Sequence, residues 1–193
     1  EATPTEKFDP IQYWEMNWEN RKLEWTLPKE AKGGKAMTDN PVEWVSYLDA
    51  LAYCRWAGLR MPTEAEWIRA ARGDSDKLYP WGSNWDSKKA CIFRTFTLPV
   101  DAPLEGEVAW GAGKIFHMAG NVMEWTSSRY VALPGFDDQY RILSRKVADV
   151  LGGAIPLWDA SKAVIKGGSY QLPDRAKVFC MIDSRAGVDT DNP

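Results

Sequence analysis

The feature that most limits the fold of this chain is its eleven tryptophans, which are spread over only 193 residues. Long periodic apolar segments are few, so most of these rings cannot lie on the faces of long helices. In proteins built from short elements, large aromatic side chains fill the space between them. The length suffices for one domain with a sizeable hydrophobic core. The sequence therefore predicts an irregular domain that is rich in loops.

Two short helices have clear start and stop signals in the segments SYLDALAYCRWAG (46–58) and RMPTEAEWIRAARG (60–73). In each segment a hydroxyl residue precedes an acidic residue by three positions, which is the pattern of a capping box, and a glycine ends the helix. The signals are Ser46, Asp49 and Gly58 for the first helix and Thr63, Glu66 and Gly73 for the second. Glu64 and Glu66 have the chemistry of catalytic acids, but capping and the helix dipole explain them better.

Three further segments carry weaker signals. Trp14, Trp18 and Trp25 are spaced by four and seven residues, which predicts one helical stripe. The segment PVEWV (41–45) predicts a short strand, and AVIKGGSY (163–170) predicts a strand that ends in a Gly-Gly bend.

Charge and hydropathy exclude several classes of partner. The net charge is −3, so no strong field attracts the chain to nucleic acid or to an anionic membrane surface. No apolar run approaches the ~20 residues that a membrane span requires. The chain opens with EATPTEKFDP, without Met and without an apolar signal core, which favours a mature periplasmic or secreted protein. We expect a protein, peptide or small-molecule partner.

The segment AGNVMEW (119–125) offers the best site chemistry in the sequence. Asn121 supplies an amide oxygen, Val122 a main-chain carbonyl and Glu124 a carboxylate, and hard oxygen ligands of this kind suit Ca²⁺. The alternative is a polar turn held by its own hydrogen bonds. His117 is the single histidine, so sites that need several histidine ligands are excluded, and we expect its ring to serve in packing.

Four motifs, LRMPTEAEWIRAARG, LYPWG, HMAGNVMEWTSS and VIKGGSY, occur in this order and closely resemble the sulfatase-modifying-factor family, the formylglycine-generating-enzyme superfamily. The resemblance implies an irregular α+β fold, related to that of C-type lectins, with few helices and short antiparallel sheets. We expect a divergent N-terminal segment at 1–40 and one family domain at 41–193. An insertion at 131–162 contains a predicted helix, DDQYRILSRKVADVLGG (137–153).

The resemblance also implies where catalysis would lie. Formylglycine-generating enzymes oxidise a cysteine of a client sulfatase and bind copper(I) through two cysteines shortly after the Gly-Gly-Ser-Tyr motif, because soft thiolates suit that ion. Here Leu172 and Lys177 stand at those two positions, although Ser184 and Arg185 still match the family. Cys180 alone cannot replace the pair, so no copper is expected.

Metal sites of two other kinds follow from the same resemblance. The family's calcium site at the Gly-Asn turn carries over onto Asn121, Val122 and Glu124 as a structural Ca²⁺ site. A second calcium site requires Asn after Ala, but Cys91 follows Ala90, so we expect that site to be absent. The family's iron-dependent sulfoxide synthases use three histidines, which this sequence does not contain.

Three functions remain open. The favoured one is a copper-free family member that acts as a ligand- or protein-binding module. The second is a periplasmic oxidative tailoring enzyme similar to the pyoverdine-maturation proteins, and the third is a sulfatase activator whose copper site uses Cys180 and a second thiol. The ligand-binding candidates are Trp158, Tyr170, Leu172 and Lys177. The catalytic candidates are Arg175, Asp183, Arg185 and Cys180.

Overall fold

Short elements separated by long irregular segments make up the part of the chain that the computed structural model describes, residues 14–17, 22–25, 39–110, 113–133 and 159–190. The strands are β1 (Trp14–Asn17), β2 (Lys22–Trp25), β3 (Val108–Trp110), β4 (Gly113–Ile115), β5 (Glu124–Tyr130), β6 (Asp159–Lys166) and β7 (Ala186–Asp189). The helices are α1 (Tyr47–Trp56), α2 (Glu64–Arg72) and two 3-10 helices, Ser87–Lys89 and Asp174–Cys180.

All the sheets are small and antiparallel. Strands β1 and β2 form one hairpin, β3 and β4 form another, and β5, β6 and β7 form a three-stranded sheet in that order. This arrangement confirms the predicted α+β class with few helices and short antiparallel sheets. None of the helices in the described residues is both long and apolar enough to cross a membrane.

Both predicted helices are confirmed together with their caps. The hydroxyls of Ser46 and Thr63 accept from the backbone N–H groups three residues on, and the carboxylates there bind back to the cap residues. Gly58 and Gly73 follow the helices with φ of 68° and 66°, a conformation that favours glycine. The chain thus enters and leaves each helix through contacts that its local sequence supplies.

Two predictions about local structure are wrong. Residues 41–45 form no strand, because Trp44 has φ of 59° and the Val45 carbonyl accepts a hydrogen bond from the Trp125 indole at 3.0 Å. Trp14 and Trp25 of the expected helical stripe lie instead opposite each other on the paired strands β1 and β2, and Trp18 lies outside the described residues. Trp14 and Trp25 therefore share a face because they are partners on paired strands, and not because they recur at the period of a helix. The helix predicted at 137–153 lies outside the described residues.

The segment that contains the Gly-Asn turn joins two clusters of the core. Met118 belongs to a cluster with Trp67 and Ile182, and Ala119 belongs to one with Tyr79 and Cys180. At Gly120 a Cβ atom would lie 2.1 Å from the Cys91 carbonyl oxygen, and φ is 83°. Only glycine fits this close approach. The Gly120 N–H donates to the Gly167 carbonyl at 2.7 Å, which ties the turn to the bend after β6.

Candidate functional site

Three of the family motifs contribute to a group of buried and partly buried side chains that we call the buried centre: Glu64, Trp67, Glu124, Lys166 and Arg185. Glu64 opens α2 and accepts from Arg185 Nη2 at 2.7 Å. Lys166 closes β6, and its Nζ lies 3.6 Å from the other Glu64 oxygen. The Lys166 side chain is fully buried, and burial lowers its pKa to about 8 despite the attraction of Glu64. One carboxylate therefore serves two buried cations.

The second half of the buried centre is a tryptophan–carboxyl pair. The Trp67 indole donates its N–H to Glu124, and the Lys166 ammonium lies 5.3 Å from the centroid of the Trp67 ring. Burial raises the pKa of Glu124 to about 7, against the opposing effect of the Trp67 hydrogen bond. Sequence reasoning assigned Glu64 to helix capping and gave Lys166 no role, because their partners are distant in the chain.

The predicted calcium ligands share one turn, but their side chains have different partners. Asn121 Oδ1 accepts from the Leu98 N–H at 2.8 Å, and Asn121 Nδ2 donates to the Leu98 carbonyl at 3.2 Å. The Glu124 carboxyl binds Trp67. The Val122 carbonyl oxygen lies 3.8 Å from where a Cβ atom of Gly167 would be. The Asn121 side chain thus forms hydrogen bonds of the kind expected for a polar turn. Calcium binding at these residues stays a prediction.

The predicted Gly-Gly bend is confirmed after β6, with φ of 91° at Gly167 and 76° at Gly168. A Cβ atom at Gly168 would lie 3.0 Å from Leu172 Cδ1 and 3.3 Å from Cys180 Sγ. Leu172 therefore lies beside the bend close to Cys180, and Lys177 is exposed on the 3-10 helix that follows. An apolar side chain thus occupies one of the two positions where the family would carry a cysteine.

The thiols near the bend are buried and protonated at neutral pH. Burial, with a further contribution from Cys91, raises the pKa of Cys180 to about 12. Burial also raises the pKa of Cys91, whose thiol donates to Asn121 Oδ1 at 3.5 Å. Both of these cysteines, and Cys54, are free thiols. Because the thiolate is the nucleophile and the metal ligand, the raised pKa makes Cys180 less reactive than an ordinary thiol.

The remaining candidates from the sequence are dispersed. Asp183 forms an ion pair with Arg72 at 2.5 Å, while Arg185 belongs to the buried centre. Tyr170 is nearly buried, and its hydroxyl accepts from the Gln171 side chain at 2.9 Å. The Arg175 backbone lies in the second 3-10 helix, but its side chain lies outside the described part, as does Trp158.

Three exposed apolar side chains lie near the buried Gly167–Gly168 bend, and we call the region the bend surface: Met123, Gly167, Gly168, Val178 and Phe179. Four of these residues, all except Val178, line a shallow depression of about 20 Å³, which has room for about one water molecule. The side chains of Met123, Val178 and Phe179 are each about half exposed. Met123, Val178 and Phe179 carry no sequence signal of exposure, since an isolated apolar residue in a loop is equally compatible with burial.

The small sheets, the capped helices and the bend define an irregular α+β domain built around a buried ion cluster. The chain belongs to the sulfatase-modifying factor family, because residues 5–192 match the sulfatase-modifying factor enzyme 1-like domain. The matched range includes the buried centre and the bend.

Two relatives show how varied the family is. The chain is 33% identical over 182 residues to hercynine oxygenase of Mycobacterium tuberculosis, which covers 83% of this chain and 40% of that protein. It is 32% identical over 143 residues to inactive C-alpha-formylglycine-generating enzyme 2 of Bos taurus, which covers 64% of this chain and 46% of that protein. The chain therefore spans less than half the length of either relative.

A solved structure supports the same fold. Variable protein 1 of Treponema denticola is similar to this chain with a TM-score of 0.55 and 19% sequence identity. The similarity covers 82% of this chain and 69% of that protein. At this level of identity the likeness concerns the fold alone.

Proposed function

We propose that this chain is a copper-free member of the sulfatase-modifying factor family and acts as a ligand- or protein-binding module. The observation that carries the proposal is the bend surface, where Met123 and Phe179 expose apolar side chains at one shallow depression and Val178, next to Phe179 in the chain, is exposed as well. Contiguous exposed apolar surface on a folded domain marks an interaction site more often than chance exposure. A peptide that carries apolar side chains would suit the bend surface.

The bend surface rests on a rigid base, which favours recognition. The Gly120 N–H fixes the Gly167 carbonyl at 2.7 Å, and Lys166 lies directly before the bend in the buried centre. Binding residues on loops work best when a fixed scaffold positions them, because less entropy is lost on binding. Lys177, directly before Val178 in the chain, is exposed and would offer a positive charge to an acidic group of the partner. Leu172 supports the bend from below.

The residues at the expected copper position do not fit copper(I), which supports the copper-free part of the proposal. A two-coordinate site for that ion needs two thiolates, but Leu172 offers no ligand and Cys180 is protonated. One relative at 32% identity is named as an inactive formylglycine-generating enzyme, so the family contains members without that activity. Structural Ca²⁺ at Asn121, Val122 and Glu124, and a periplasmic or secreted location, complete the proposal.

A second candidate function is oxidative tailoring. The observation that favours it is the 33% identity with hercynine oxygenase over 83% of this chain. Since the chain spans 40% of that relative, it would supply only one part of such an enzyme. Arg185, Lys166 and Ser184 are the polar residues that line the depression, and Asp183 directly precedes Ser184 in the chain. The Asp183 and Arg185 side chains both form ion pairs, so they are better suited to positioning a substrate than to transferring a proton.

A peptide array tests the binding proposal. We expect the chain to retain a subset of peptides rich in apolar residues, and the variant V178S/F179S to lose them at least tenfold. The matched control is V100S, because Val100 is 55% exposed and Val178 is 53% exposed, and Val100 is not part of the bend surface. Equal retention by all three proteins would contradict the proposal.

A second experiment separates binding from the oxidative alternatives. The chain is titrated with copper(I) against a competing chelator, and a cysteine-containing sulfatase peptide is then incubated with it under oxygen. We expect no stoichiometric copper binding and an unchanged peptide mass. Stoichiometric binding that Cys180→Ala abolishes, together with loss of the peptide sulfur, would establish a sulfatase activator in place of a binding module.

A further inference from the structure

The depression at the bend combines apolar residues with positively charged ones. The apolar residues Met123 and Phe179 line it, and so do Lys166 and Arg185 of the buried centre. The Lys166 ammonium donates to the carbonyl of Ser184, another lining residue, at 2.5 Å. The positive charge of the lysine therefore lies close behind the wall of the depression.

The buried centre has more positive than negative charge at this wall. Lys166 and Arg185 share the single carboxylate of Glu64, whose oxygens lie 3.6 Å from the lysine Nζ and 2.7 Å from the arginine Nη2. The side chains of all three residues are more than nine-tenths buried. Two cations and one anion give this group a net charge of +1, although its hydrogen bonds are well matched.

The other acidic groups nearby do not cancel this charge. Asp183 is 60% exposed and forms an ion pair with Arg72, and the pair adds no net charge. The Glu124 carboxyl has a pKa raised by burial to about 7, so it is mostly uncharged at lower pH. Burial, and to a lesser degree the neighbouring Arg185, lowers the pKa of Lys166 to about 8. A buried net charge is costly without a counter-ion, so an anionic group of a ligand would be favoured here.

The size of the depression limits which anion can enter. Its volume of about 20 Å³ has room for about one water molecule, and one carboxylate oxygen is of similar size. A carboxylate is flat and narrow, so it can insert one oxygen and leave the other toward solvent. A phosphate or sulfate group is tetrahedral and becomes wide directly behind an inserted oxygen. The space therefore favours a carboxylate.

A C-terminal carboxylate suits the depression better than the carboxylate of a side chain. In the last residue of a peptide, the carboxylate and the side chain diverge from one Cα atom. A terminal carboxylate in the depression thus holds an apolar side chain close to Met123 and Phe179, which are about half exposed. In Asp or Glu the carboxylate is itself the end of the side chain, so no apolar group is fixed beside it.

We propose that the bend surface binds the C-terminus of a peptide whose last residue is apolar, and that the free carboxylate enters the depression beside Lys166 and Arg185. The inference rests on the binding function proposed for the bend surface and names the ligand class of that surface. The attraction is strong because the charges behind the wall are shielded from water by the protein.

Two peptides that differ only at the C-terminus test the proposal. Labelled Gly-Ser-Gly-Leu-Phe with a free carboxylate and the same peptide as its amide are titrated with the chain, and binding is followed by fluorescence anisotropy. The titrations are made at about pH 6, where Glu124 is mostly protonated and the terminal carboxylate is ionised. We expect the amide to bind roughly tenfold more weakly or worse. A third peptide, Gly-Ser-Gly-Glu-Phe amide, should bind no better than the first amide.

Lys166→Met identifies the origin of the preference. The change removes the surplus charge with a side chain of similar length and leaves Glu64 paired with Arg185. Replacing a buried ion by an apolar side chain is often tolerated, and we expect this variant to bind acid and amide equally. The matched control is Lys162→Met, because Lys162 lies on the same strand and pairs with Asp189, outside the depression. It should keep the preference for the acid.

The outcomes separate this inference from the proposed function. Equal binding of acid and amide by the unmodified chain would overturn the carboxylate site and leave the binding function intact. Equal binding of the free acid and the glutamate-containing amide would overturn the C-terminal assignment in favour of a side-chain carboxylate. If no peptide bound, both proposals would be wrong. The comparison of the three peptides on the unmodified chain decides the matter even if Lys166→Met does not fold.

Discussion

The buried centre and the bend surface are neighbours in the fold, but they differ in almost every physical property. In the buried centre, Glu64 pairs with two cations and Trp67 donates to Glu124, so polar groups are matched inside the core. In the bend surface, Met123 and Phe179 expose apolar side chains to solvent. The two regions meet at Lys166, which precedes the bend, and at Arg185, which lines its depression.

This contrast indicates which residues are structural and which are available to bind a partner. Buried acidic and basic residues attract attention as catalytic groups, yet here they are bound to one another and hold α2, β5 and β6 together. Mutual satisfaction makes a polar cluster stabilising and leaves it little freedom to react. The residues that can meet a partner are exposed apolar ones, of which Val178 and Phe179 lie outside the four motifs. The following predictions test this division, from the largest expected effect on stability to the smallest.

The largest effect is expected from Glu64→Gln. The change leaves Lys166 and Arg185 buried without their anion, which should lower the free energy of unfolding by about 3–5 kcal/mol. Urea denaturation of the purified chain measures it. Glu66→Gln is the matched control, because that carboxylate lies two residues away on the same helix and is exposed. Similar losses in both variants would show that capping, and not the buried centre, explains the result.

A pH titration probes the other half of the buried centre. The folded pKa of Glu124, about 7, is raised above its usual value of 4.5. Its protonated form is therefore favoured in the folded state, so its contribution to stability is complete below pH 4.5 and is lost as the pH rises through 7. The expected loss is about 3 kcal/mol by linkage.

Glu124→Gln provides the reference for this titration, because it keeps a hydrogen-bond acceptor for Trp67 without an ionisable group. In the presence of a calcium chelator, the difference in unfolding free energy between the two proteins should change between pH 4.5 and 7. Added Ca²⁺ should stabilise only the wild-type chain above pH 7 if Glu124 is a calcium ligand. An unchanged difference across the pH range would show that Glu124 is ionised when folded.

Local sequence was sufficient to predict the helix caps and the bend, because each depends on residues a few positions apart. Ser46 with Asp49 and Thr63 with Glu66 bind within one turn, and Gly167 and Gly168 adopt positive φ where they were expected to. The contacts of the buried centre were not predictable in the same way. Glu64 and Arg185 are 121 residues apart in the chain, so only the fold brings them together.

The two errors have related causes. Tryptophans at intervals of four and seven suit a helix, but Trp14 and Trp25 are also opposite each other in a hairpin, and short apolar patterns do not distinguish the two. At PVEWV, the carbonyl of Val45 is bound by the distant Trp125, which no local pattern contains. The bend surface was missed for a further reason. Exposure depends on what the remaining chain leaves uncovered.

An intermediate effect is expected from Thr63→Ala. The Thr63 hydroxyl caps the helix that carries Glu64 and Trp67, so its loss weakens the start of α2 without removing a charge from the core. The expected decrease in unfolding free energy is about 1 kcal/mol. Thermal unfolding measures it, and Thr63→Ser, which retains the hydroxyl, is the control. If Thr63→Ala lowered the free energy of unfolding as much as Glu64→Gln does, the helix cap and the buried centre would be energetically coupled.

The smallest effect on stability is expected from the bend-surface variant V178S/F179S. Both side chains are about half exposed, so the free energy of unfolding should change by no more than about 0.5 kcal/mol for each substitution. The peptide binding that we attribute to this surface should nevertheless be lost, while Thr63→Ala retains it despite its lower stability. Loss of stability without loss of binding in one variant, and the reverse in the other, would distinguish the buried centre from the bend surface. If Thr63→Ala abolished binding and V178S/F179S did not, the partner would contact the motif residues, and the division between a structural centre and a binding surface would be wrong.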